Sequence, residues 1–396
     1  MNYYIIPKNK FNINLDVQIT DDIVLPIISN SLIFYLNNLH NNLFKIESST
    51  DHINNITIEY ISKFVNTLEF IHTTVPGSTL TVSKINPDSN IFFELMEIFN
   101  IFNTSDFICS KKHMSIAHLT SNYKSTNSLL SIFRNNISDK IINEVFDYDT
   151  LLDKFIVNKH DTLLDLLICE FNVSDYTDIN KYISNILLIF SIITKYQSYQ
   201  GTCIIKIENV FYKAIIDIIF MFSAIYDKVY LIKPSISRVM DGYRYIVCKT
   251  YNQKQNPQFL IQVDKQIISI LKNNNINKNV FSLLKNEIPY YFLNKLEEIN
   301  TVIGQQQLEA YDQIINIFKS TNVEDKIELL KRNNIQKCIQ WCEKNNLLHN
   351  KFIDTVNIFF KAKKDCDIDT DNCNIVSNVN NNDYIFSLSY DGTDKV

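Results

Sequence analysis

Residues 201–251, GTCIIKIENVFYKAIIDIIFMFSAIYDKVYLIKPSISRVMDGYRYIVCKTY, set the architecture of this chain. Thr202 to Ile207 is an apolar, β-branched run with one charge, Lys206, near its C-terminal end, where open α/β sheets present functional groups. Lys206 is there either as a solvated strand end or as a reactive group. Phe211 to Tyr226 places Ile215, Ile218, Ile219, Phe222 and Ile225 at helical spacing, giving one apolar face to lie on a sheet. Two more β-rich runs, Val229 to Lys233 and Tyr243 to Tyr251, are separated by the polar KPSISRVMDG, long enough to be a functional loop over the strand ends. Strand, helix, strand, strand is an α/β pattern.

Outward from this stretch, Leu163 to Phe171 reads as a buried parallel strand and Tyr182 to Tyr196 as a buried helix, while Ile28 to Leu43 reads as a helix near the N-terminus. After residue 257 the pattern turns helical. Leu293, Leu296, Ile299, Ile303, then Leu308, Tyr311, Ile315 and Phe318 form an amphipathic stripe of more than one helix, read first as core packing and otherwise as a partner surface, with Gly304 marking a kink.

A chain of 396 residues with 46% hydrophobic and 12% aromatic content can bury a large core and is expected to form two or three lobes. The net charge of -5 is carried by the tail: residues 365–396 hold seven Asp and one Lys, so the body is near neutral and has no obvious nucleic-acid footprint. The tail is acidic and Asn-rich, which predicts disorder, and its YIFSLSY at 384–390 could dock on a partner as a strand or short motif. MNYYIIPKNK lacks the apolar core of a signal peptide, and Ile183 to Ile193 is too short to span a bilayer, so a soluble, non-secreted protein with no membrane association is expected. The eight cysteines read as buried free thiols. Cys338, Cys342, Cys366 and Cys373 match zinc-ligand spacing poorly, and no metal is expected.

The quoted motifs resemble the C-terminal half of the FtsJ-like RNA ribose 2′-O-methyltransferases, especially the branch found in large DNA viruses. The residues that carry the resemblance are IIK at 204–206, KVYLIKP at 228–234, Ser237 and Arg238, and YRYIVCK at 243–249. EFIHTTVPGSTLTVSKINPDSNIFFELMEI, residues 69–98, is similar to the entry into the same core. The resemblance spans roughly 28–360 and implies an α/β, Rossmann-like (FtsJ-type) methyltransferase sheet. The expected division is an N-terminal extension (1–80), the core (81–256), a helical C-terminal region (257–364) and the tail (365–396).

The family's catalytic set is Lys, Asp, Lys, Glu; the matching positions here are Glu94, Glu170, Lys206 and Tyr243, so only Lys206 is retained. Glu94 near Lys206 is expected to keep the amine charged and opposed to use as a base, leaving Lys206 as an ion-pair partner. Glu170 is expected to cap or solvate its strand end. Replacement of Lys206 by Ala should then alter stability only slightly. The family's glycine-rich cofactor turn is matched by AHLTSNYKST, 117–126, with Leu119, Thr120, Ser121 and Asn122 at the degenerate loop, and no Gly occurs from 78 to 200. Tyr123 and Lys124 are expected to push Cβ atoms into the space S-adenosylmethionine needs, so no cofactor is expected.

The resemblance thus implies a catalytically inactive methyltransferase-fold protein of a large DNA virus, acting as a structural or regulatory subunit in RNA capping or transcription. Its partner would be a protein, such as a capping, methyltransferase or transcription subunit, with RNA bound weakly by the lone chain. Its place would be the host cytoplasm, the viral factory or the virion. Two alternatives stay open: an active S-adenosylmethionine-dependent RNA 2′-O-methyltransferase with a rebuilt site, and a virion structural protein.

Overall fold

The apolar runs line up in one seven-stranded sheet in the computed structural model, which describes residues 2–9, 13–49, 57–134, 136, 138–158, 162–172, 178–208, 210–252, 257–272, 279–285 and 287–351. In chain order the elements are β1 (Asn2–Ile6), β2 (Leu15–Thr20), α1 (Asn30–Ser49), α2 (Ile58–Val65), α3 (Ile91–Ile101), α4 (Thr104–Ser110), β3 (Ser115–Leu119) and α5 (Tyr123–Phe133). Next come β4 (Lys140–Glu144), α6 (Tyr148–Leu151), β5 (Leu164–Cys169), α7 (Ile179–Tyr196), β6 (Gln197–Ile207), α8 (Lys213–Ile225), β7 (Tyr226–Lys233) and β8 (Arg244–Tyr251). The last are α9 (Pro257–Lys272), β9 (Asn279–Leu284), α10 (Tyr290–Phe318) and α11 (Val323–Lys344).

The sheet order is β1-β7-β8-β6-β5-β3-β4. Strands β4, β3, β5 and β6 are parallel, β8 runs antiparallel between β6 and β7, and β1 closes the edge antiparallel to β7. This is a Rossmann-like, mostly parallel α/β sheet followed by a helical C-terminal region. The crossover from β3 to β4 and those from β5 through β6 to β7 travel in opposite directions. Right-handed connections therefore put α5 on one face and α7 and α8 on the other. Their divergence between β3 and β5 opens the crevice in which open α/β sheets place ligands, at the C-terminal ends of the strands.

Burial on both faces explains why the central strands read as unbroken apolar runs: Leu166, Leu167, Ile168, Cys203, Ile204, Ile205, Val247 and Cys248 are all buried. Helices α7 and α8 are buried almost all round, and Asp217 of α8 ties that layer to the small β2–β9 sheet by accepting from the Leu283 N–H at 2.9 Å. Cys169, Cys203, Cys248, Cys338 and Cys342 are buried free thiols; burial raises Cys338 and Cys342 to about 12, and Cys109 alone among the described cysteines is exposed. Among the described residues no group of His, Cys, Asp or Glu could hold a metal ion, and no helix is long and apolar enough to cross a membrane.

Several element boundaries differ from the sequence reading for physical reasons. Strand β6 begins at Gln197 because the Gln197 side chain donates to the Leu164 and Thr202 carbonyls, filling a register shift opposite β5. The first helix starts two residues late and runs to Ser49, and β5 is shorter at both ends than Leu163 to Phe171. Helix α10 continues unbroken for 29 residues through Gly304. The glycine there admits a neighbour, since a Cβ at 304 would press on the Leu32 side chain of α1. Gly304→Leu should force α1 off α10 and lower the unfolding free energy by about 1–3 kcal/mol in a urea titration. Residues 1–350 form one compact unit. The expectations for Cys366, Cys373, the 365–396 tail and YIFSLSY lie outside the described residues.

Candidate functional site

Four positions far apart in the chain meet at the C-terminal ends of β5 and β6. Glu94 comes from α3, Glu170 follows β5, Lys206 is the penultimate residue of β6, and Tyr243 immediately precedes β8. The antiparallel register pairs Lys206 with Tyr245, which adds a second phenol to the group. The Lys206 Nζ lies 3.0 Å from Glu170 Oε1 and 3.3 Å from Glu94 Oε2, and 4.0 Å from the centroid of the Tyr243 ring. Glu94 Oε1 accepts from the Tyr243 hydroxyl at 2.8 Å, and Glu94 Oε2 accepts from the Tyr245 hydroxyl.

The side chains of Lys206, Glu94 and Glu170 are 14%, 2% and 13% exposed, so this is an interior ion-pair network. Burial pulls the Lys206 pKa down, but the nearby charges of Glu94 and Glu170 outweigh it and raise the value above that of an ordinary lysine. The amine is thus held as an ammonium, without the lone pair that a base needs. Burial, reinforced by the Glu94 charge, pushes the Tyr243 and Tyr245 phenols well above their usual range, so both stay protonated and donate to Glu94.

Glu170 is not the solvated strand end that the sequence suggested. Its Oε1 takes Lys206, and its Oε2 accepts from Thr120 Oγ1 at 3.0 Å and Asn122 Nδ2 at 2.9 Å. The bulky Phe171 beside it turns into the core, with ring centroids 4.7 Å from Phe146 and 6.1 Å from Tyr182. These contacts anchor the backbone next to the carboxylate.

The same bonds define the loop after β3. The Leu119 carbonyl accepts from the Glu170 N–H, the Thr120 N–H donates to the Glu144 carbonyl, and Asn122 N–H donates to Thr120 Oγ1. Ser121 is exposed, and α5 begins at Tyr123. S-adenosylmethionine, which the fold implies, needs a turn that exposes backbone to the ligand and polar groups free to bind it. Here Thr120 is fully buried, Thr120 and Asn122 are spent on Glu170, and the strand-end acid Glu144 is paired with Lys154. These residues do not fit the cofactor. The obstruction differs from the one expected of Tyr123 and Lys124, which are half-buried and exposed on the first turn of α5; it comes from Glu170 holding Thr120 and Asn122 of the loop.

Three groups near the site escaped the sequence reading. Glu97, one turn after Glu94, is buried and accepts from the Ser235 N–H at 2.9 Å, from Ser235 Oγ at 2.8 Å and from Trp341 Nε1 at 3.2 Å, fastening the loop after β7 to α11. Tyr245 was visible only as a strand residue. Lys233, inside the quoted KVYLIKP, is the last residue of its strand where Lys206 is the last but one, and a lysine at a strand end was the available signal.

No protein-family model matches the chain. A mouse (Mus musculus) protein, cap-specific mRNA (nucleoside-2′-O-)-methyltransferase 2, is 24% identical over 155 residues, which is 39% of this chain and only 20% of the mouse protein's length. Among solved structures, a ribosomal RNA methyltransferase of Plasmodium falciparum aligns with a TM-score of 0.30 and 14% identity, over 41% of this chain and 97% of that one. An O-methyltransferase family protein of Burkholderia thailandensis aligns with a TM-score of 0.23 and 6% identity, over 57% of this chain and 74% of that one. Likenesses as distant as these two add nothing about function. The similarity in sequence is to part of a cap-specific mRNA 2′-O-methyltransferase.

Proposed function

We propose that this chain is a catalytically inactive FtsJ-like methyltransferase-fold protein of a large DNA virus, serving as a structural or regulatory subunit in RNA capping or transcription. The observation that carries this reading is the capture of Lys206 between Glu94 and Glu170. Ribose methylation requires a group able to take the proton of a 2′-hydroxyl, and an ammonium held by two carboxylates has no lone pair with which to take it. The loop at 119–122, drawn onto Glu170, supports the same conclusion from the cofactor side. The partial similarity to a cap-specific mRNA methyltransferase supports capping as the setting. Viral origin rests on the motif resemblance, and so does a location in the host cytoplasm, viral factory or virion.

A fold kept without its chemistry is useful when another molecule reads its shape, and the near-neutral body favours a protein partner over RNA bound by the lone chain. Affinity purification from infected cells, with and without residues 365–396, should recover a capping, methyltransferase or transcription subunit. Recovery of monomer alone in both cases, with tight salt-sensitive RNA binding, would count against it.

The expected biochemical result is no saturable S-adenosylmethionine binding by calorimetry and no labelled methyl transfer to capped or uncapped RNA. A one-to-one site, or transfer lost in Lys206→Ala, would instead establish an active enzyme with a rebuilt site.

A further inference from the structure

Between the loop after β7 and helix α10 lies a cavity of about 300 Å3, at the small end of the range for small-molecule sites. Its walls include Lys233, Ser235 and Ser237 from the loop side and Gln306, Glu309 and Gln313 from α10. It adjoins the Glu94 cluster without belonging to it; Lys233 Nζ is 5.9 Å from the centroid of the Tyr243 ring.

Lys233 and Lys206 occupy equivalent places on neighbouring parts of the sheet, yet their surroundings are opposite. Lys233 is 8% exposed, and its Nζ donates to two backbone carbonyls, Val239 O at 3.3 Å and Asp241 O, with no carboxylate in ion-pair contact among the described residues. Two carbonyls hold two of its hydrogens and the third position is left to a proton or a lone pair. The charged groups that face it are Arg244 on β8, Asp241 in the loop and Glu94 on α3, with Glu309 on the far wall of the cavity. Burial, assisted by Arg244 and only partly offset by Asp241 and Glu94, pushes its pKa down to about 7. A buried lysine freed of its proton is the form that attacks carbonyl carbon.

We propose that Lys233 is the nucleophilic amine of a binding site for small, neutral, hydroxylated aldehydes, which it captures as an imine. The Nζ lone pair adds to the aldehyde carbon, forming the C–N bond, while the carbonyl oxygen takes the proton shed by nitrogen. The C–O bond then breaks and the hydroxyl leaves with the second nitrogen proton as water. Nothing is oxidised or reduced, and no further reactant is consumed.

The lining selects the class of ligand. The Ser235 and Ser237 hydroxyls donate to Glu97 and to the Pro234 carbonyl and keep lone pairs that accept, and Gln306 and Gln313 bring amides that both donate and accept, a set suited to hydroxyl groups. The exposed Glu309 carboxylate in the lining works against a phosphorylated or otherwise anionic aldehyde.

The test uses the full chain, glyceraldehyde as the probe and cyanoborohydride to trap the imine, with peptide mapping by mass spectrometry. At pH 7 an amine of pKa about 7 has roughly a thousandfold more free base than an ordinary lysine. Even with access restricted, Lys233 should be labelled about tenfold faster than the exposed Lys124, with a midpoint near pH 7, and Lys206 should stay unlabelled. Glyceraldehyde 3-phosphate should label Lys233 more slowly, and Gln306→Leu with Gln313→Leu, on the surface of α10, should slow glyceraldehyde several-fold. Lys233→Arg should abolish the adduct. Adducts on exposed lysines with none at Lys233 would overturn the proposal, as would faster labelling by the phosphorylated aldehyde. The wild-type map alone decides the first point, whether or not the variants fold.

Discussion

Lys206→Ala should lower the unfolding free energy by about 3–5 kcal/mol, the range for removing one partner of a buried ion pair. The substitution takes away the cation that Glu94 and Glu170 share and leaves two largely buried carboxylates without it. The slight effect expected from the motif resemblance treated Lys206 as an ion-pair partner of Glu94 without its burial. Burial changes the magnitude, because an uncompensated interior charge costs several times more than a lost surface pair. The cause can be separated from simple loss of packing. Glu94→Gln in the Lys206→Ala background removes one of the two opposed charges while keeping a side chain of the same shape whose amide oxygen accepts from one of Tyr243 and Tyr245 and whose NH2 donates to the oxygen of the other, and it should recover part of the loss. Urea titrations of the wild type, both single variants and the double variant close the cycle. A loss under about 1 kcal/mol for Lys206→Ala would mean that solvent already reaches this cluster.

What was legible in the residues follows from what burial does to a sequence. Strands β5, β6 and β8 are covered on both faces, so their apolar runs needed no partner information to be found. The convergence of Glu94, Glu170, Lys206 and Tyr243 became visible only through motif resemblance, since periodicity cannot bring α3 beside β6. The role of Glu170 was hidden for a related reason. Whether a strand-end carboxylate is solvated depends on what the next strand's loop offers it, and here Thr120 and Asn122 offer two donors. Lys233 and Lys206 look alike in the sequence; one has two carboxylates delivered to it by distant elements and the other has two carbonyls of its own loop. Gly304 shows the same limit in packing, because its reason for being small is Leu32, on a helix near the other end of the chain.

Stability should fall steeply between pH 6.5 and pH 4, and His118 should supply a separable part of that fall. His118 sits on β3 opposite Asn143 of β4 and is fully buried. Its Nδ1 lies 3.0 Å from Asn143 Oδ1 and 3.0 Å from Thr126 Oγ1, while Nε2 makes no hydrogen bond. The Thr126 hydroxyl donates to the Tyr123 carbonyl, which leaves its oxygen to accept, so the neutral ring with its proton on Nδ1 satisfies both neighbours. A second proton would go to Nε2 and place a charge in the interior. Burial therefore pushes the pKa down to about 4, against a smaller opposing effect of Asn143 and Asn127. In the unfolded chain the same imidazole takes a proton near pH 6.5. Above that value both states are neutral and His118 contributes no pH dependence. Below it the unfolded state binds a proton that the folded state refuses, and stability drops with a slope of about 1.4 kcal/mol per pH unit until the folded ring also titrates near pH 4. The full loss is roughly 3 kcal/mol from this residue. His72, also lowered to about 4 by burial, acts in the same direction. His118→Leu should be less stable than the wild type at pH 8, because Asn143 and Thr126 lose their partner. Its stability curve should nonetheless be flatter by one proton between pH 6.5 and 4. Parallel acid limbs for the two proteins in urea titrations across that range would show that His118 is protonated, or reached by water, in the folded state.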